Sequence, residues 1–168
     1  MNIALRFGSL AAGIISFWNI LNYLWFYKTS LSKISFFVNV IVLLIVLYKG
    51  IVAIKKSEFD NKITFGNAAL SGIKITIVSA VLLSIITFGY SSIPNKNYKS
   101  YIESQTEKVM KERKMPDIDK TLNELRLSFD PVRQAQSALI FTTAIGIVFS
   151  FVFAMIIRNK VHEPEPII

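Results

Sequence analysis

Four apolar runs constrain this chain more than any other feature. They lie at about residues 7–27, 34–54, 65–90 and 138–157, each close to the ~20 helical residues needed to cross ~30 Å of hydrocarbon. Charged residues are 18% of the chain and cluster between these runs, while hydrophobic residues make up 52%; a soluble core would not segregate them so completely. The expected fold is all-α and integral to a membrane. It is a single domain over residues 1–168 with four transmembrane helices and an extramembrane helical hairpin between the third and the fourth.

The boundaries follow from local chemistry. The first run is bounded by Arg6 and Lys28 and carries Trp18, Tyr23, Trp25 and Tyr27 in its C-terminal half, as an interfacial belt requires. It is too long for a signal-peptide core and is read as a retained signal-anchor helix. The short connection at Thr29–Ser32 makes the first two spans an antiparallel hairpin. The second span reaches Ile54 if Lys49 snorkels. Pro94 closes the third, and Asp130-Pro131 supplies an N-cap followed by proline at the first helical position of the fourth. The tail, residues 161–168, is expected to be disordered.

The polar segment between the last two spans has helical periodicity over about residues 95–130. Tyr98, Ile102, Val109 and Met110 form a rough apolar face on one helix, with Glu107 and Lys111 at a favourable i,i+4 spacing. Pro116 ends that helix. Asp117 is placed to cap a second, whose Ile118, Leu122, Leu125 and Phe129 fall at offsets 0, 4, 7 and 11 and form a stripe. The two faces can pack on each other or lie on the bilayer.

The formal net charge of +8 does not read as a nucleic-acid footprint, because the basic residues flank apolar runs instead of interleaving with aromatics. Without cysteine there is no disulfide framework, thiolate metal site or cysteine nucleophile. Lysine and arginine number eight on the N-terminal side of the topology and eleven on the other, nine of them in the long polar segment. That segment also carries seven acidic residues, whereas the loop after the second span is short and densely basic. The flanking charges therefore place both termini in the cytoplasm.

Three features resemble a family of small four-helix bacterial membrane proteins typical of Bacteroidota, domain of unknown function 4199. They are Thr64-Phe65-Gly66-Asn67-Ala68 followed by Gly72-Ile73-Lys74, the helical insert ending in Asp130-Pro131, and the basic end of the last helix followed by Glu163-Pro164-Glu165-Pro166. The resemblance covers nearly the whole chain. It implies this architecture and a bacterial inner-membrane location, and it carries over no catalytic residue.

Lys74 is the one charge inside the third run. An ionisable residue within a span is a functional candidate by default, but Lys74 lies two to three turns from the start, where its stem can snorkel to the headgroups. Asn19, Asn22 and Asn39 are the notable neutral polar residues of the first hairpin; Asn22 and Asn39 are nearly equidistant from its centre and can hydrogen-bond across it. Small residues recur every four positions at Thr142, Gly146, Ser150 and Ala154, at Gly8, Ala12 and Ser16, and at Ala68 and Gly72. Such grooves admit another helix within the bundle, or a second copy of the chain in a homo-oligomer. His162 stands alone, and no phosphate loop, nucleophile elbow or metal-ligand spacing is present. No catalytic residue, cofactor or metal is therefore expected.

Two functions fit. One is a non-enzymatic accessory component whose 95–130 hairpin docks a protein partner through Ile118, Leu122, Leu125 and Phe129. The other is a small oligomeric transporter or channel subunit with Asn19, Asn22, Asn39 and Lys74 lining a polar path.

Overall fold

A computed structural model describes residues 2–159; the tail and His162 lie outside the described residues. The described chain is helical throughout, and four of its helices are long and apolar enough to cross a membrane. They are α1 (Ile3–Leu24), α3 (Ser35–Glu58), α4 (Phe65–Ser91) and α7 (Pro131–Ile157). At 1.5 Å per residue their 22 to 27 residues reach about 33 to 40 Å. Between α1 and α3 lie a 3₁₀ turn, Phe26–Lys28, and the single turn α2 (Ser30–Lys33); between α4 and α7 lie α5 (Lys96–Glu112) and α6 (Ile118–Ser128).

The first helix begins four residues earlier than the apolar run, because Asn2 accepts from the Ala4 amide at 2.9 Å and so caps it. It also ends earlier, with Tyr27 in the 3₁₀ turn. Asp130 caps α7 through the Arg133 amide, 3.1 Å away, with Pro131 at the first helical position. Asp117 does not cap α6 in this way: its backbone is left-handed, at φ 60°, and its side chain makes no capping bond. An N-cap oxygen reaches the first-turn amides from extended backbone, which Asp117 lacks. Nor is it Pro116 that closes α5. Lys114 takes φ 50°, and the amides of Lys114 and Met115 return to the carbonyls of Lys111 and Met110 at 3.2 and 3.0 Å. This is a Schellman motif with lysine where glycine is usual.

In the bundle α4 and α7 make the most extensive contact; α1 packs on α3 and α4, and α3 meets α7. Small residues set the α4–α7 approach. A Cβ on Gly72 would lie 2.5 Å from Ser150 Oγ, and one on Gly146 would collide with the Thr76 side chain. Gly72 and Thr76 on α4 thus oppose Ser150 and Gly146 on α7, one turn apart in antiparallel order. Ala68, Thr142, Ala154, Gly8, Ala12 and Ser16 are buried as well, so these grooves face one another inside the bundle. Ser71, Ser79 and Ser150 return their hydroxyls to the carbonyl four residues back, which satisfies a polar group in an apolar interior.

The two ends of the bundle differ. At the end carrying the N-terminus, the α3–α4 loop and Asn159, the core of Leu47, Ile51, Ala68, Ile75 and Ala154 is fully buried. Lys55 Nζ donates to the Ile157 carbonyl at 2.9 Å, placing a cation on the negative end of α7. Asn159 and Ile63 exchange two hydrogen bonds of 3.1 Å. The outer surface is strongly apolar, with Phe17, Phe37, Ile140, Phe141 and Ile156 each more than 60% exposed; continuous surface of this kind suits lipid, not water.

Candidate functional site

At the opposite end the helices separate around a cleft, and Asn19 lies where its three parts meet. Asn19 and Asn39 face each other from α1 and α3, and Asn39 Nδ2 donates to Asn19 Oδ1 at 2.9 Å. Asn22 instead donates to the Trp18 carbonyl, 3.0 Å away in its own helix. The cross-hairpin pair is therefore Asn19 with Asn39. The reason is the turn: its centre falls at Thr29, which is extended, at φ −96° and ψ 163°, so equal depth belongs to residues equidistant from 29.

Below this pair, a slot of about 230 Å³ between α3 and α7 is walled by Ile15, Val40, Leu43, Leu83 and Ile145. It opens between Phe36 and Phe141, both more than half exposed. Above the pair are two polar chambers. One, about 360 Å³, carries Asn22, Lys33, Tyr98 and Gln134; the other, about 790 Å³, carries Thr87, Tyr90, Arg133 and Ser137. Among the described residues, no carboxylate lines any of the three. Asn22 and Asn39 each keep a buried Oδ1 with no hydrogen-bond partner among the described residues.

A tyrosine cluster roofs the cleft and ties α5 to the spans. Tyr23 lies 5.5 Å from Tyr90 and 4.9 Å from Tyr98 by ring centroids, and Tyr27 contacts both Tyr98 and Tyr101. Tyr23 Oη donates to the Ile93 carbonyl at 2.7 Å, and Asn95 Nδ2 donates to the Tyr23 carbonyl at 2.7 Å. Burial pushes the Tyr98 phenol above its ordinary pKa, with the neighbouring Tyr90 and Tyr23 adding to the shift.

The other residues singled out from the sequence fall elsewhere. Lys74 is exposed on the outer face of α4 and lines none of these chambers. Gly72, Gly146 and Ser150 form the α4–α7 contact. The stripe of α6 turns towards α5: Phe129 is 7% exposed and its ring lies 6.1 Å from Tyr98, while Ile118, Leu122 and Leu125 are half-buried. Arg126 bonds Glu103 across the two helices at 3.2 Å. The stripe thus makes contact with α5 and keeps part of its surface open.

The sequence did not mark Tyr90, Gln134, Arg133 or Ser137 as neighbours of the asparagines. They come from α4 and α7, and no local pattern records which helix lies across a gap. The run of tyrosines at 23, 27, 90, 98 and 101 is the one signal that could have revealed the roof.

No curated protein and no solved structure matches the chain. A family model described as a protein of unknown function, DUF4199, matches residues 6–159, spanning all four long helices and the insert. The resemblance drawn from the Phe-Gly and Gly-x-Lys motif therefore holds, and the chain belongs to the DUF4199 family.

Proposed function

We propose that this protein is a non-enzymatic accessory component of a bacterial inner membrane, which binds a protein partner through the helical hairpin formed by α5 and α6. The observation that carries the reading is the brace between that hairpin and the spans. Five tyrosines and two 2.7 Å bonds at Tyr23 hold α5 in a fixed relation to α1 and α4. A linker would need no such attachment; a docking platform does, because pre-organisation lowers the entropy lost on binding. Since the stripe of Ile118, Leu122, Leu125 and Phe129 is partly covered, the most exposed apolar side chains of the insert are Val109, Met115 and Leu127, at 42%, 47% and 51%. The basic residues Arg6, Lys49, Lys55, Lys56 and Lys62 gather at the closed end, which we assign to the cytoplasm together with both termini.

The test replaces residues 96–128 with a short flexible linker and compares proteins crosslinked in intact cells. Loss of a discrete partner from a membrane-inserted variant supports the reading, and an unchanged crosslinking pattern defeats it. Transport is the second reading, favoured by the Asn19–Asn39 pair inside a polar cleft. Against conduction through one chain stands the closed end, where the Leu47, Ile51 and Ile75 side chains are fully buried in the packed core. Solute flux in proteoliposomes that Asn39→Leu abolishes would restore it.

A further inference from the structure

We infer that the cleft between α3 and α7 is a binding site for one anionic glycerophospholipid with a hydroxyl-bearing headgroup, of the phosphatidylglycerol kind. Three independent features of the cleft each select one part of such a molecule.

The apolar slot selects an alkyl chain. At about 230 Å³ it is smaller than the ~300–1,000 Å³ of ordinary small-molecule pockets. It also opens sideways through the apolar outer surface, between Phe36 and Phe141, where a chain lying in the hydrocarbon would enter. The charge of the polar chambers selects an anion. Lys33 lines one and Arg133 the other, both chambers share Asn19, Tyr90 and Gln134, and among the described residues no acidic side chain lines either. Arginine presents the planar fork that matches phosphate, and lysine a point charge.

The third feature is the pair of unpartnered amide oxygens. Asn22, 91% buried with Oδ1 lacking a donor, lines the Lys33 chamber, and Asn39, whose Oδ1 is likewise buried without a donor, lines the slot below. A buried acceptor without a donor costs about 1–3 kcal/mol, and a phosphate, having only acceptors, cannot relieve it. Hydroxyl groups on the headgroup can. Phosphate between Lys33 and Arg133, headgroup hydroxyls towards the asparagines and one acyl chain in the slot together match all three features. A zwitterionic choline lipid brings the same phosphate and chain, but it has no headgroup hydroxyl for the asparagines and its quaternary ammonium adds a positive charge beside Lys33 and Arg133.

The experiment reconstitutes the full-length protein in nanodiscs of equal phosphatidylglycerol and phosphatidylcholine and counts retained lipid by native mass spectrometry. Wild-type protein retains phosphatidylglycerol over phosphatidylcholine by roughly tenfold, the scale of one or two charge-assisted contacts. Lys33→Gln with Arg133→Gln brings that ratio to within about twofold of unity, because the lost contacts were its source. Leu83→Trp, which fills the slot, removes retention of both lipids; should that variant not fold, Leu43→Phe replaces it, with a smaller loss in the same direction. Lys74→Gln, a cation outside the cleft, leaves the ratio unchanged. An equal loss of preference in Lys74→Gln would mean general attraction of surrounding lipid and would overturn the inference. So would undiminished preference in the Lys33, Arg133 double variant, or displacement of the bound lipid by free glycerol phosphate as readily as by short-chain phosphatidylglycerol.

Discussion

Gly146 and Thr76 meet at the point of closest approach between α4 and α7, and the cost of crowding them is predictable. A methyl group on Gly146 would collide with the Thr76 side chain, its Cβ standing 2.9 Å from Thr76 Cβ. Because threonine is branched at Cβ it cannot rotate clear, so the helices must separate. Gly146→Ala is expected to destabilise the bundle by about 1–3 kcal/mol, read from unfolding titrations in mixed micelles. Adding Thr76→Ala to it recovers part of the loss, since the two changes act on one contact. Thr76→Val alone is neutral or stabilising, because Thr76 Oγ1 is buried without a partner and the valine keeps the shape. Asn39→Leu leaves Asn19 Oδ1 without its donor and costs about 0.6–2 kcal/mol; a double-mutant cycle with Asn19→Leu measures that coupling, and a coupling of zero would mean the pair contributes nothing.

The insert helices show where the physics of one element is sufficient and where it is not. Glu107 and Lys111 pair at 2.6 Å as their i,i+4 spacing requires. Hydrogen bonding and the charge of Lys111 hold the Glu107 carboxyl below its ordinary pKa, and Glu107 raises that of Lys111. The glutamate's contribution is therefore present above the ordinary carboxylate range and fades as pH falls through its lowered value. That of the lysine is present below the ordinary lysine range and fades as pH rises through its raised value. Carboxyl NMR of Glu107 should titrate below the usual glutamate value and return to it in Lys111→Gln. At the end of the same helix Lys114 holds a left-handed backbone that glycine adopts without penalty; Lys114→Gly is expected to add on the order of 0.5–1 kcal/mol, visible as slower amide exchange across α5. Periodicity located both helices of the insert. The stop at Lys114 escaped it because a left-handed lysine leaves no mark in the sequence, and the uncapped Asp117 because aspartate suits an N-cap and a left-handed position alike.

For the whole molecule the sharpest prediction concerns sidedness. Glu58 ends α3 beside the closed end, whereas Lys108 sits on α5 at the other. Single cysteines there, in a chain with none of its own, should be labelled from opposite sides of the membrane, Lys108→Cys from outside and Glu58→Cys from the cytoplasm. Labelling of both from one side would break the four-span topology. Length and apolar clustering determined the number of spans, because each crossing requires about twenty apolar residues whatever lies beside it. Side-chain caps at Asn2, Thr64, Asn95 and Asp130 set the starts of α1, α4, α5 and α7, since such signals act within one turn. The four-residue spacing of small side chains marked the faces that would pack, though not their partners. Only tertiary structure decided that Gly72 opposes Ser150, that Asn19 and not Asn22 meets Asn39, that Lys74 stays outside, and that α3 and α7 part to form a cleft roofed by tyrosines. Each of these depends on which helices are neighbours and how far they diverge, and that is fixed by contacts between residues distant in the chain.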